Sequence, residues 1–323
     1  MIVPATPDSI RSAAEQLRSG AVVAIPTETV YGLACAIDSP EAIRRVFELK
    51  GRPSDNPLIV HVASLEQALT LADEADHDVV RRRGAALWPG PRTIVVRRSG
   101  RVSDAVTAGL NTVAMRMPAH PVTREIILQA GVPLAAPSAN LSGRPSPTRA
   151  EHVEDDLRGA VMVVDAGPCA YGLESTVVRV LGSEVVILRQ GALSAATIGL
   201  ALGSMSVRSA SASDDVHLSP GTRYRHYAPN VPVVLCDSPE QINATIDAHP
   251  SERMLVLCSA DAIGSLPGVP TRELSASSLF DEFRRAEALQ VDRIVVLCDD
   301  HVRTDAALLN RLQRAAETRQ ASS

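Results

Sequence analysis

Apolar and polar positions change period repeatedly along this chain, and each change marks an element. AVVAI (21–25) is a short continuous apolar run that stops at Pro26, so it predicts a buried strand. Residues 9–19 are amphipathic and end at Gly20, as a helix would. In PEAIRRVFELK (40–50) apolar residues fall at 43, 46, 47 and 49, which predicts a helix closed by Gly51 beyond its C-cap. LIVHV (58–62) predicts a strand, 65–87 a helix, and TIVVRR and TVAMRM (112–117) two further strands. A helix within 121–130, the strand VPLAAP (132–137) and the strand VMVVDA (161–166) follow. Thr148 and Glu151 have the spacing of a capping box for a helix between those last two strands. STVVRV and EVVILR, separated by Leu181-Gly182-Ser183, predict a β-hairpin.

From about Gly203 the periodicity is lost. Six serines fall between Ser204 and Ser219, and the stretch ends in SPGTRYRHYAP (219–229), which reads as a linker. Beyond it the strands VPVVLC, RMLVLC and RIVVLC alternate with helix-like or polar segments, and AALLNRLQRAAE predicts a final helix. That alternation implies a small parallel, Rossmann-like α/β domain. It contains no G-x-G-x-x-G, so no dinucleotide site is expected there. The expected division is residues 1–203 as a first domain, 204–230 as linker, and 231–323 as the small domain.

Composition narrows the classes. With 323 residues, 45% hydrophobic, there is material for two packed cores, and 2% aromatics means that Val, Leu, Ile and Ala must fill them. A net charge of −5 gives no sign of the basic face that nucleic-acid binding requires. Five scattered cysteines without a C-x-x-C pair argue against zinc and disulfides and suit a reducing compartment. The N-terminus lacks the pattern of a secretion signal and no apolar run is of membrane-spanning length, so a soluble cytoplasmic protein is expected. The P-loop, H-E-x-x-H and G-x-S-x-G signatures are absent.

Lys50 is the only lysine among 32 cationic side chains. Either it is a leftover surface residue, or its position needs a compact ammonium that the planar guanidinium cannot replace. It lies in KGRPSDNPLIVH (50–61), where Arg52 follows after one glycine. Two cations so close call for an anionic partner, and phosphate suits both, unless they are simply solvated loop charges. Hydroxyls gather in PTETVYG (26–32), which alone reads as an ordinary strand-to-turn cluster, and in APSANLSGRPSPT (136–148), either a Ser/Pro-rich turn or a loop whose hydroxyls and backbone N–H groups face an anion. His61 within an apolar strand fits either a satisfied core histidine or a ligand contact. Arg116, Ser175, Thr176 and Arg189 sit at strand ends, where α/β sites form, unless the arginines are ordinary surface charges.

In their order, PTETVYGLA, KGRPSDNPLIVH, WPGP, TAGLNTVAMRMPAHP, APSANLSGRPSPT, GLESTVV and SPGTRYRHYAP resemble the threonylcarbamoyl-AMP synthases of the YrdC type over roughly residues 10–230. The linker and small domain resemble the long, two-domain form of that family. The resemblance implies a YrdC-like twisted mixed sheet with a large open cavity. It also implies synthesis of threonylcarbamoyl-AMP and pyrophosphate from L-threonine, bicarbonate and ATP, the first step of a tRNA modification, with Mg²⁺ carried by the ATP. It assigns Lys50 and Arg52 to catalysis and, with Ser138, Asn140, Ser146 and Arg189, to ATP. Asn56, Thr112, His226 and Tyr227 are further ATP candidates, and Thr29, His61, Arg116 and Ser175 are assigned to threonine. It implies a downstream tRNA threonylcarbamoyl-transfer machinery as the partner, weak or indirect tRNA contact, and a linker that closes over the active site. Arg92, Ala166 and Gln190 depart from the family pattern, Arg92 adding a charge near the expected cleft. The competing readings are an RNA-binding or ribosome-assembly protein of the same fold and a transferase using carbamoyl phosphate.

Overall fold

The computed structural model describes residues 1–203, 205–211, 214–220, 227–265 and 269–317. The chain divides into two compact units: Met1–Ser142 with Ser146–Arg223, and Gly143–Pro145 with Tyr224–Ser323.

The first unit is built on eleven strands: β1 (Ile2–Pro4), β2 (Val23–Ile25), β3 (Gly32–Ala36), β4 (Ile59–His61), β5 (Arg92–Arg97), β6 (Thr112–Arg116), β7 (Leu134–Ala135), β8 (Met162–Asp165), β9 (Thr176–Leu181), β10 (Glu184–Arg189) and β11 (Ser206–Ser209). They form one mixed sheet in the order β1-β8-β2-β3-β7-β4-β6-β5-β9-β10-β11. Helices Pro7–Arg18 and Pro121–Ala130 pack together on one part of it, with Ala13, Leu17, Ile126 and Ile127 against Val23, Ile25 and Ala34. Helix Pro40–Lys50 adds Ala42, Ile43 and Val46 to the larger core containing Leu33, Leu58 and Val60. Its ends follow the local signals. The Ser39 hydroxyl accepts the Ala42 N–H, Pro40 occupies the first turn, and Gly51 takes the left-handed conformation at φ 56°. The β9–β10 hairpin is present, turning through Gly182 at φ 60°.

Local chemistry broke several expectations. The helix expected over 65–87 stops at Leu71. Ala72 is extended and bridges Arg98, and the Asp73 N–H bonds to the Arg97 carbonyl, so the chain joins the end of β5. The remainder is a series of short turns, including a π-helical one at Val80–Gly84. No capping box forms at Thr148: Arg149 is the N-cap of helix Ala150–Leu157, and the Thr148 N–H bonds to His152 Nδ1 instead. Strands β1 and β3 and helix Ala195–Leu202 were not anticipated. Within the stretch read as linker, Ser206–Ser209 pair in parallel with Glu184–Ile187.

In the second unit, β12 (Val233–Cys236), β13 (Met254–Cys258), β14 (Thr271–Glu273) and β15 (Arg293–Leu297) are all parallel, in the order β12-β15-β13-β14. Phe280 and Phe283 of helix Leu279–Ala288 are fully buried. Tyr227 stacks on Phe280 with centroids 5.6 Å apart, and the Arg311 guanidinium lies 4.7 Å from its ring centroid. Gly143–Pro145 belong to this unit: the Ala228 N–H reaches the Gly143 carbonyl, Arg284 donates to the Pro145 carbonyl, and Arg144 pairs with Glu287.

Candidate active site

Lys50 ends its helix 2% exposed. Its ammonium donates to the backbone carbonyls of Ser138 and Asn140, spanning the loop after β7. The same loop is held by Ser142 N–H to the Lys50 carbonyl (2.8 Å), Ala139 N–H to the Tyr31 carbonyl (2.8 Å) and Leu141 N–H to the Asp156 carboxylate (3.2 Å). Burial, then the nearby Arg52, draw the Lys50 pKa well below that of an ordinary lysine, with Asp156 opposing. A guanidinium is too wide and flat to take the place of this ammonium between two carbonyls. Arg52 turns back on its own loop, donating to the carbonyls of Asn56 (3.3 Å) and Pro57 (2.9 Å). These bonds gather Lys50, Arg52, Asn56, Ser138 and Asn140 into one neighbourhood.

A second group forms around Arg116. β4 and β6 run in parallel with His61 opposite Arg116. The guanidinium donates from Nε to the Gly90 carbonyl (3.2 Å) and from Nη1 to the Thr29 hydroxyl (2.8 Å), while Nη2 lies 2.6 Å from Glu28 Oε1. Burial and the neighbouring Arg116 charge push His61 down to about 3, so its imidazole is neutral near pH 7. Its Nδ1 is buried and has no hydrogen-bond partner among the described residues. The Ser175 hydroxyl meets that of Thr93 at 2.7 Å, and Arg189 donates to the Ser175 carbonyl (2.9 Å) and to the Pro220 carbonyl (3.0 Å). Ser146 donates to Glu174 at 2.5 Å.

The structure therefore joins Thr29, His61 and Arg116, and places Arg189 with Ser175. Thr112 is at the opposite end of β6 from Arg116, paired across to Arg97 and separated by roughly 13 Å of strand. Tyr227 lies against Phe280 and Arg311. His226, with Gly221 and Arg223–Arg225 of the same motif, lies outside the described residues. Arg92 bonds back to the Leu87 carbonyl at 2.9 Å. Three carboxylates escaped the sequence reading: Glu28, Glu174 and Asp156. Glu28 had a signal, an acid between two threonines directly after a buried strand, whereas Asp156 looks like any acid on a polar helix.

The chain is thus a mixed α/β protein in which a buried lysine, buried arginines and several hydroxyls gather at the ends of strands and of one helix. A family model described as telomere recombination, Sua5/YciO/YrdC, matches residues 15–191. One described as the C-terminal domain of threonylcarbamoyl-AMP synthase matches residues 187–317. The threonylcarbamoyl-AMP synthase of Bacillus subtilis is 40% identical over 95% of this chain and 92% of its own. That of Pyrococcus abyssi is 38% identical over 95% and 94%. The crystal structure of P. abyssi Sua5 complexed with L-threonine superposes with a TM-score of 0.85 at 36% identity, covering 98% of this chain and 97% of the other. The chain belongs to the threonylcarbamoyl-AMP synthase family, in its two-domain form. Among the described residues no helix is long and apolar enough to cross a membrane.

Proposed function

We propose that this threonylcarbamoyl-AMP synthase carries out its reaction at the two residue groups described above, with bicarbonate as the carbon source. Threonine's amine and bicarbonate give N-carboxy-threonine and water. The carboxylate so formed attacks the α-phosphorus of MgATP, and the bond to the bridging oxygen breaks to release pyrophosphate. Such a transfer needs positioning and charge stabilisation rather than a nucleophile, which fits cations and hydroxyls.

The observation that carries this reading is the buried Arg116 with its neighbours. The guanidinium suits the threonine carboxylate, while Thr29, Ser175 and neutral His61 suit its hydroxyl. The P. abyssi relative, solved with L-threonine, supports the same choice of ligand. Lys50 and Arg52 stand on the ATP side with Asn56, Ser138, Asn140 and Ser146. Lys50 acts both by fixing the carbonyls of the Ser138–Asn140 loop and by its charge. Arg189 braces Ser175 and Pro220, and Thr112 remains an outlying ATP candidate. Mg²⁺ enters this proposal with the nucleotide, held by the phosphates of the MgATP substrate.

Of the stretch 204–230, Ser206–Ser209 belong to the sheet, and residues 219–229 serve in this proposal as a cover that keeps water from the labile carbamate, a reading that rests on the composition of SPGTRYRHYAP. The product is a mixed anhydride, suited to a tRNA-modifying transferase in the cytosol. The test is pyrophosphate release from MgATP with each substrate omitted in turn. Release should require threonine and bicarbonate together, and carbamoyl phosphate should not replace them. Equal release without threonine would end this account.

A further inference from the structure

Glu28 is 8% exposed and packed beside Arg116, yet only half of its carboxylate is used. Oε1 accepts the Ala119 N–H at 3.0 Å and faces Arg116 Nη2 at 2.6 Å. Oε2 is buried and has no hydrogen-bond partner among the described residues, while Arg116 Nη2 is paired with Oε1 alone. Buried charged atoms left short of hydrogen bonds are costly, and such pairs persist where a ligand completes them. Burial drives the Glu28 carboxyl up, but Arg116 and the Ala119 N–H more than offset this, holding it below the ordinary range and therefore ionised. An open anionic acceptor beside a buried guanidinium, whose Nη2 carries a second N–H, is the complement of an α-amino acid zwitterion. Nearby polar groups do not supply the missing partner: Thr29 already accepts from Arg116 Nη1, and His61 is neutral.

We propose that Glu28 Oε2 accepts a hydrogen bond from the substrate's ammonium while Arg116 Nη2 takes its carboxylate, so that Glu28 selects for the α-amino group. The proposal rests on the threonine reading of the Arg116 group. It gives the acid of PTETVYG a specificity role in a cluster otherwise built of hydroxyls and cations.

Calorimetric titration of the full-length protein with L-threonine and with 3-hydroxybutyrate, which keeps the carboxylate and hydroxyl but lacks the amine, tests it. The wild type should prefer threonine, and Glu28→Gln should lose that preference, with threonine binding weakened about tenfold or more, as expected for a lost charge-assisted contact, and the analogue little changed. Glu28→Asp, which keeps the charge on a shorter arm, should fall between them and serves if the glutamine variant does not fold. Equal weakening of both ligands would reduce Glu28 to a prop for Arg116, and unchanged threonine binding would remove it altogether. Arg116→Lys separates the underlying reading: it should weaken both ligands, and normal binding of both would show that the threonine site itself lies elsewhere.

Discussion

Lys50 shows how much a single residue's identity can carry. Its ammonium is enclosed by the carbonyls of Ser138 and Asn140, so Lys50→Arg keeps the charge but cannot keep the geometry. Steady-state pyrophosphate release by Lys50→Arg should fall at least tenfold, from the ~1.5–3 kcal/mol of a charged hydrogen bond. Near-normal turnover would refute the role. His61 gives a pH dependence. Its pKa is depressed from 6.5 to about 3, so between those values the unfolded chain binds a proton that the folded chain does not. Stability therefore rises with pH across this window, by about 1.4 kcal/mol per unit, and is fully present above it. Chemical denaturation between pH 4 and 6 should show a slope in the wild type that His61→Asn lacks by about one proton. Selectivity follows from the same group: valine, without the hydroxyl, should be a far poorer substrate than threonine in kcat/KM, and comparable values would remove Thr29, His61 and Ser175 from hydroxyl recognition. The uniqueness of Lys50 and the oddity of His61 were visible in the sequence. The carbonyl pair that encloses Lys50 was not, because backbone acceptors leave no mark on side-chain identity.

Elements were legible where burial alone decided them. The run that became β2 is apolar throughout and is wholly buried. Sequence reading failed where a distant strand competed, as at Ala72 and Asp73, which join β5 although their segment has helical composition. It also failed at β11, whose SVRS sequence becomes a strand only because the edge of β10 is there to pair with it. Truncation after Leu202 therefore cuts into the sheet as well as the linker, and a clean test of the cover must use point changes within 219–229. Two glycines make opposite predictions. Gly51 is left-handed with open space where a Cβ would lie, so Gly51→Ala should cost only about 1 kcal/mol in thermal or denaturant unfolding. A Cβ on Gly191 would lie 2.4 Å from the Glu174 carbonyl oxygen, so Gly191→Ala must displace the Glu174–Ser175 backbone. It should cost more than Gly51→Ala and raise the KM for threonine, and equal effects would contradict this packing argument.

At the scale of the whole molecule, the two units carry different kinds of information. The motifs of the first unit stand out in the sequence because chemistry restricts them, while the second unit shows only the alternation of a parallel sheet. Tyr227 illustrates the difference. Its place in SPGTRYRHYAP marks it for ATP, and the structure packs its ring on Phe280 beside Arg311. Tyr227→Ala should destabilise the second unit by about 3 kcal/mol, read as an unfolding transition earlier than that of the wild type. If Tyr227→Phe loses activity while keeping the wild-type stability, the hydroxyl serves the substrates as well. The most direct measurement of the whole account is mass analysis of the product formed from ATP, L-threonine and ¹³C-bicarbonate. An AMP adduct of threonine carrying one labelled carbon, formed along with pyrophosphate, is the predicted result. An unlabelled adduct, or ATP turnover that ignores threonine, would contradict it.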